Sequence, residues 1–153
     1  MVEVIQLKEQ KPFPNNSLSL LYYPKALQEI LTEEFSAEAV RALFASNLYG
    51  NSWINGIYEH HHFHSTAHEV LGCIAGESTV QFGGPLGVTL IFSQGDVVLI
   101  PAGVSHKLLK QTADFSVLGA YPDGQLHDIQ EGNASNYQQI KNNIKLSEEQ
   151  IQC

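Results

Sequence analysis

Residues 56–76 read GIYEHHHFHSTAHEVLGCIAG and contain five of the seven histidines of the chain. Alternate residues of a β-strand face the same side of a sheet. A strand that begins near Ser52 would therefore place His60, His62 and His64 on one face. Neutral imidazoles that converge in this way bind first-row transition metals. This stretch thus predicts a part of a metal site.

Two more candidate ligands lie outside the histidine run. Glu69 follows His64 by five residues, and a turn through residues 65–68 would bring its carboxylate back beside the histidines. Residues 95–106 read GDVVLIPAGVSH, which predicts a strand, a rigid Pro-x-Gly turn and a histidine, His106, that opens another strand. A barrel or a sandwich can bring that strand against the first one. We therefore expect Glu69 and His106 to belong to the same site.

The region that begins at Ser52 consists of short strand candidates separated by glycine- and proline-containing turns. Many short strands with frequent turns are typical of an all-β sandwich or barrel. The connections are too short for helical crossovers, so the sheets should be antiparallel. The expected strands are Ser52–His64, Glu69–Ala75, Thr79–Phe82, Val88–Phe92, Asp96–Ile100, His106–Gln111 and Phe115–Tyr121.

No linker or repeat divides the sequence, so we expect one domain over residues 1–153 with the barrel core at about 50–125. Short elements flank this core. The expected flanking elements are the strands Val2–Leu7 and Leu18–Tyr23, a short helix at Ala26–Leu31, a helix at Ser36–Asn47 with Ser36 as its N-cap and Val40, Leu43 and Phe44 on one face, and a C-terminal helix through Tyr137, Ile140 and Ile144.

Composition limits the classes of partner. The chain is 43% hydrophobic and 16% charged, as in ordinary globular proteins, and its net charge of −8 argues against nucleic acids and anionic membranes. No apolar run approaches the roughly 20 residues that span a bilayer. Two cysteines, Cys73 and Cys153, do not make a disulfide framework. We expect a cytoplasmic protein with neither nucleic-acid nor membrane partners.

Both histidine-bearing stretches resemble the two sequence motifs of the cupin superfamily. The first motif, G-x5-H-x-H-x3,4-E-x6-G, is matched by Gly56, His62, His64, Glu69 and Gly76. The second, G-x5-P-x-G-x2-H-x3-N, is matched by Gly95, Pro101, Gly103 and His106, with Lys110 where the family has Asn. Within the superfamily, the chain looks like the small single-domain bacterial cupins of the YjlB type in three places: Pro14-Asn15-Asn16, the HFHSTAHE stretch and the segment around Ala120-Tyr121-Pro122.

This resemblance implies a double-stranded β-helix, the jelly-roll barrel of cupins, with short flanking helices. It implies that His62, His64, Glu69 and His106 hold one divalent transition metal, either Fe, Mn, Ni or Zn. Cupins include dioxygenases, isomerases and non-catalytic binding proteins, and the fold does not choose among them. We expect a metal-dependent enzyme, dioxygenase-like or isomerase-like, that acts on a small molecule. The alternatives are a ligand-binding cupin with a structural metal and, for the remaining surface, a homodimer interface.

Further residues are candidates for the surroundings of the metal. Tyr58 and His60 share the predicted face of His62 and could move protons, although Tyr58 could equally fill the barrel. His68 is a partly exposed turn residue, a residue behind the ligands or a substitute for Glu69. We expect His68, Cys73, Lys110 and Tyr121 behind the ligands or in the pocket, whereas His61 and His127 are expected at the surface. Strand parity predicts that Lys110 faces the same side as His106, and a proton-transfer group such as Tyr58, His60 or Lys110 beside the metal would favour catalysis over binding.

Overall fold

The computed structural model of the chain describes residues 1–31, 36–133 and 135–148. Cys153 and the side chain of Ser36, the expected N-cap, lie outside the described part. The elements are β1 (Glu3–Leu7), β2 (Asn16–Tyr23), α1 (Ser36–Ser46), β3 (Tyr49–Asn55), β4 (Glu69–Ala75), β5 (Glu77–Phe82), β6 (Val88–Ser93), β7 (Val97–Ile100), β8 (His106–Gln111), β9 (Ser116–Pro122) and α2 (Tyr137–Glu148).

The strands form two antiparallel sheets that face each other. The larger sheet has six strands in the order β1-β2-β7-β4-β9-β3, and the smaller has three in the order β6-β5-β8. The all-β jelly-roll prediction with short flanking helices is confirmed. The main apolar core lies between the sheets and includes Leu20, Leu71, Val80, Phe82, Phe92, Val98 and Val117.

Strand β4 lies at the centre of the fold and is covered on both faces. Leu71 packs into the core between the sheets, whereas Val70 belongs to a second core on the outer face of the larger sheet. Gly72 lies so close to this second core that a Cβ there would be 3.0 Å from the side chains of Leu27 and Phe44. Burial on both faces explains the continuous apolar run of this strand. It also buries Glu69, the first residue of the strand.

The two helices cover different parts of the barrel. Helix α1 packs Val40 and Phe44 on the outer face of the larger sheet, but Leu43, which was expected on the same face, is 40% exposed. Helix α2, as predicted, carries Ile140 and Ile144 into a small core. The rest of that core consists of Phe13, Phe63 and Ala102. No described helix is long and apolar enough to cross a membrane.

The expected strand from Ser52 to His64 is wrong in its second half. Strand β3 ends at Asn55 and pairs with β9 in the larger sheet. The chain then crosses to the smaller sheet, where the carbonyl of Tyr58 accepts a hydrogen bond from Leu108 and His62 forms an isolated bridge with His106. A segment that leaves one sheet for the other cannot continue as one strand. The expected helix at Ala26–Leu31 is also wrong, because residues 24–30 form turns.

Candidate metal centre

Three side chains from separate parts of the chain meet at the inner end of the barrel. His64 lies in the connection that precedes β4, Glu69 begins β4 and His106 begins β8. Their potential ligand atoms all lie within 4.8 Å of one another, and all three residues are buried. The Nε2 atoms of both histidines lie 3.4 Å from Oε1 of Glu69. Nitrogen and carboxylate donors in this arrangement suit a divalent transition metal.

The buried carboxylate of Glu69 is the strongest indication of a metal ion in this cluster. The residue is 1% exposed, and neither of its oxygens has a hydrogen-bond donor among the described residues. A buried carboxylate costs several kcal/mol unless a cation or donors compensate its charge. Burial by itself would raise the pKa of Glu69, but the imidazoles of His106 and His64 hold it below its ordinary value. A buried, ionised carboxylate that faces two imidazoles at 3.4 Å therefore fits a bound metal ion.

The tautomer of His64 is suited to metal binding. Its Nδ1–H donates to the backbone carbonyl of Asp128 at 2.5 Å, so Nε2 faces Glu69 and is the nitrogen that would bind a metal. Burial by itself would lower the pKa of His64, but the carboxylate of Glu69 raises it in the absence of a metal. A carbonyl that fixes the outer nitrogen of a histidine is a common support for metal ligands.

Asp128 also holds the turn between His64 and Glu69. Its carboxylate accepts hydrogen bonds from the backbone N–H groups of Ser65, at 2.7 Å, and Thr66, at 3.3 Å. It also accepts from the hydroxyl of Ser65 and the amide of Gln130. The side chain of Asp128 therefore connects the segment after β9 to the turn between the candidate ligands His64 and Glu69.

We expect Asp128→Ala to lower the affinity for a divalent metal by about 10- to 100-fold, the range found when supporting partners of ligands are removed. The turn and the carbonyl that orients His64 lose their anchor in this variant. Competition titration with a chromophoric chelator measures the effect. Asp114→Ala, at an exposed position, is the matched control. An unchanged affinity in the Asp128 variant would show that the anchor has no part in the site.

His62 lies beside this cluster but outside the group whose ligand atoms lie within 4.8 Å of one another. Its ring centroid is 4.0 Å from that of His106. Its Nδ1–H donates to the carbonyl of His60 at 3.2 Å, which leaves Nε2 as an acceptor. Burial lowers the pKa of His62 to about 2, so the imidazole is neutral. His62 thus has the protonation state of a ligand, and its role as the fourth ligand stays a prediction.

A cavity of about 320 Å³ opens from this cluster to the surface. Two predicted residues, Tyr58 and Tyr121, line it together with the candidate ligands. The hydroxyl of Tyr121 accepts the indole N–H of Trp53 at 2.9 Å and lies 3.2 Å from Nε2 of His127. Burial and the charge of Glu69 raise the pKa of Tyr121, so its hydroxyl keeps its proton. The remaining lining residues are Trp53, Ile54, Asn55, Gly56, Ile57, Leu71, His127 and Ile129.

Two expected proton carriers do not reach this cavity. His60 is half exposed, and its Nε2 lies 2.9 Å from a carboxylate oxygen of Glu131. Lys110 is exposed because the register of β8 shifts at Leu109. This shift pairs Lys110 with Thr79 and turns its side chain to the outer face of the sheet. The prediction that Lys110 faces the same side as His106 is therefore wrong.

Cys73 and His68 lie behind the site rather than in it. Cys73 is buried in the main core, and burial raises the pKa of its thiol to about 12. His68 is fully buried, not partly exposed. Its Nδ1 accepts the N–H of Ala102 at 2.9 Å, and its Nε2–H donates to the carbonyl of Ser147 at 2.8 Å. With both nitrogens bonded to the backbone, His68 does not substitute for Glu69.

His127, expected at the surface, lines the cavity instead. Its ring stacks on Tyr121 with centroids 4.1 Å apart and meets His64 edge-on at 4.6 Å. Trp53 and Asp128 are further residues of the site that sequence reasoning missed. Residues 125–131 have no strand periodicity, but they contain the adjacent polar pair His127-Asp128. This pair is the sequence feature that could have indicated a role for His127 and Asp128.

Comparison with known proteins finds a similar family for the central part of the chain. The model of the family described as "Cupin domain" matches residues 54–118. The uncharacterized protein YjlB of Bacillus subtilis (strain 168) is 43% identical over 97 residues. The matched segment is 63% of this chain and 59% of YjlB, so it spans little more than half of that relative.

Several solved structures are similar to the chain at low sequence identity. Acireductone dioxygenase from Bacillus anthracis, with a cadmium ion in its active centre, is 17% identical, with a TM-score of 0.46 over 71% of this chain and 82% of that one. The epimerase RmlC from Legionella pneumophila is 16% identical, with a TM-score of 0.43 over 82% and 74%. Vicilin from hazelnut, Corylus avellana, is 14% identical, with a TM-score of 0.45 over 86% and 36%.

The range that matches the family runs from β3 to β9 and contains His64, Glu69 and His106. The same range supplies most strands of the two antiparallel sheets, and both motifs fall at the points where their residues converge. Over residues 54–118 the chain is therefore similar to the cupin family.

Proposed function

We propose that the chain holds one divalent transition metal and uses it, as a mononuclear enzyme of the dioxygenase or isomerase type, to transform a small molecule in the barrel. The buried carboxylate of Glu69 carries this proposal. It lies between His64 and His106 without a donor, and a cation is the simplest partner for it. The chemistry of the donor set suits Fe, Mn, Ni or Zn.

The three clustered residues, with His62 as the fourth ligand, would hold the ion and leave about two of six positions open for a substrate or co-substrate. A bound metal would act as a Lewis acid and as a template for the substrate. The chain's own polar groups that line the cavity beside the candidate ligands include Tyr121 and His127. Because Tyr121 accepts the Trp53 N–H, its hydroxyl proton is free to be donated to His127 or to a polar atom of a small molecule in the cavity. Burial keeps that proton on the phenol.

A non-catalytic cupin that binds a ligand beside a structural metal is the second candidate. One observation favours it: His60 and Lys110, which were expected to supply protons, lie outside the cavity. Tyr58 lines the cavity but is 53% exposed. Proton transfer in the barrel would then depend on Tyr121 and His127.

Elemental analysis of protein purified without an affinity tag tests the proposed function first. We expect about one iron, manganese, nickel or zinc ion per chain, lost in the combined variant His62→Ala and His106→Ala. Oxygen uptake and substrate depletion by the metal-loaded protein then separate turnover from binding. A parent protein that takes up no stoichiometric metal, even after reconstitution, would refute a metal-dependent role.

The partner of the site is proposed to be a small molecule. A homodimer and a cytoplasmic location stay predictions, as does the absence of nucleic-acid and membrane partners. Light scattering during size-exclusion chromatography measures the oligomeric state directly.

A further inference from the structure

The mouth of the cavity is apolar although the metal cluster inside it is polar. Ile54, Tyr58 and Ile129 all line the cavity and are 44%, 53% and 49% exposed. They come from the end of β3, the crossing segment and the segment that follows β9. Exposed apolar side chains that surround a concave site mark contacts with a ligand or a partner.

The apolar surface continues from the mouth toward the cluster. Trp53, Ile57 and Leu71 line the cavity below the rim. The indole of Trp53 lies against β9, where a Cβ at Gly119 would be 2.4 Å from the ring. Because the indole N–H is already bonded to Tyr121, the ring has no free polar atom for a ligand. One wall of the cavity is therefore flat and apolar.

Positive charge is absent from the lining. The described residues that line the cavity include neither lysine nor arginine. The chain as a whole carries a net charge of −8. A phosphate or a polycarboxylate would therefore find only the metal as a counter-charge, and its remaining negative charge would be desolvated against isoleucine and tryptophan. A ligand with an uncharged body avoids this cost.

We propose, on the basis of the proposed metal site, that the natural ligand is a flat molecule with an uncharged apolar body and a small polar end that faces the metal cluster. The body lies against Trp53 and between the rim residues Ile54 and Ile129. The cavity of about 320 Å³ limits the ligand to the size of one or two small rings. The same surface disfavours phosphorylated sugars and small polycarboxylates as ligands.

The only tryptophan of the chain lines the cavity, so its fluorescence reports binding there. The metal-loaded protein is titrated with 4-methylcatechol, an uncharged diol with an apolar body, and with 2-oxoglutarate, a chelator with two carboxylates. Metal content is measured before and after each titration, so that removal of the ion by the probe is detected. We expect 4-methylcatechol to bind at least about tenfold more tightly than 2-oxoglutarate.

Ile129→Lys places a cation at the rim and removes an apolar contact. We expect this variant to bind 4-methylcatechol more weakly and 2-oxoglutarate more tightly, so that the preference falls by about tenfold or more. Ile91→Lys is the matched control, because Ile91 is 60% exposed on β6 and does not line the cavity. The control should keep the parent preference.

The outcomes separate this inference from the proposed function. A parent protein without metal would refute the proposed function, and the inference with it. A metal-loaded parent that binds both probes equally, or prefers 2-oxoglutarate, would refute the ligand class alone. The ligand class would also be refuted if Ile129→Lys kept the parent preference but changed a dimer to a monomer in light scattering. The rim would then be an interface between two copies of the chain.

Discussion

Replacing Glu69 by glutamine is expected to lower the affinity of the chain for a divalent transition metal by more than about 100-fold, because removal of a direct ligand exceeds the effect of removing a supporting residue. Glutamine keeps the shape of the side chain but lacks the charge that compensates the cation. Chelator competition and elemental analysis after dialysis measure the loss.

The stability of the metal-free protein distinguishes a lost ligand from a lost fold. The carboxylate of Glu69 is buried and has no donor among the described residues. Glutamine keeps the volume of the side chain, so metal-free Glu69→Gln should stay folded, and its urea unfolding, measured beside that of the metal-free parent, separates the two causes. Glu77→Gln, at an exposed position of β5, is the matched control and should keep the parent affinity. Parent-like metal binding by Glu69→Gln would remove Glu69 from the site.

The same assay ranks the histidines. His64 and His106 have Nε2 atoms 3.4 Å from Glu69, so alanine at either position should cost as much affinity as Glu69→Gln. His62 lies outside that close group. A loss in His62→Ala equal to that in His106→Ala would make His62 the fourth ligand, whereas a loss of less than about tenfold would make it a lining residue.

Replacing His68 by alanine is expected to lower the free energy of unfolding by about 3 kcal/mol, because two buried backbone groups lose their partners. These groups are the N–H of Ala102 in the turn before β8 and the carbonyl of Ser147 in α2. The turn is also bonded to the site, since the N–H of Gly103 donates to the carbonyl of His64 at 2.7 Å. His68 thus joins α2 and the turn that precedes His106.

Urea unfolding followed by circular dichroism measures this loss. His60→Ala is the matched control, because His60 is exposed and its change should stay within about 0.5 kcal/mol. A loss below about 1 kcal/mol in His68→Ala would show that water or rearrangement of α2 satisfies both backbone groups.

The contribution of His68 should also depend on pH. Burial lowers the pKa of His68 from its ordinary value of 6.5, so the folded chain holds the neutral form. In the unfolded chain, His68 binds a proton when the pH falls below this ordinary value. The stability that His68 contributes is therefore complete at a pH above 6.5 and is lost as the pH falls from 6.5 toward the lower pKa of the folded state. Between these two pKa values, the difference in the free energy of unfolding between the parent and His68→Ala should decrease by up to about 1.4 kcal/mol per pH unit.

Several features could be predicted from local sequence alone. Turn residues and short apolar segments indicated antiparallel sheets, because strand length and turn chemistry are local properties. The spacing of His64 and Glu69 placed two acid–base groups on either side of one turn, so their proximity follows from a few residues of chain. The turn before His106 is equally local, and the motif resemblance supplied the pairing of the two stretches.

The side-chain directions in the site could not be predicted in the same way. One shift of register at Leu109 sends Lys110 outward, and such a shift depends on the partner strand rather than on β8 itself. His60 turns away because the chain crosses between sheets after Asn55. His127 reaches the cavity because Asp128 fastens its segment to Ser65, 63 residues earlier in the chain.

The sequence by itself determined the all-β class and the proximity of His64 and Glu69, because both depend on spacing within short segments, and the motif resemblance added His106. Only the tertiary structure decided which other side chains face these three residues. It brought Trp53, His127 and the apolar rim to the cavity and assigned His68 to the attachment of α2. The physical reason is that a side chain's surroundings depend on strand register and on contacts between distant segments, which no local spacing contains.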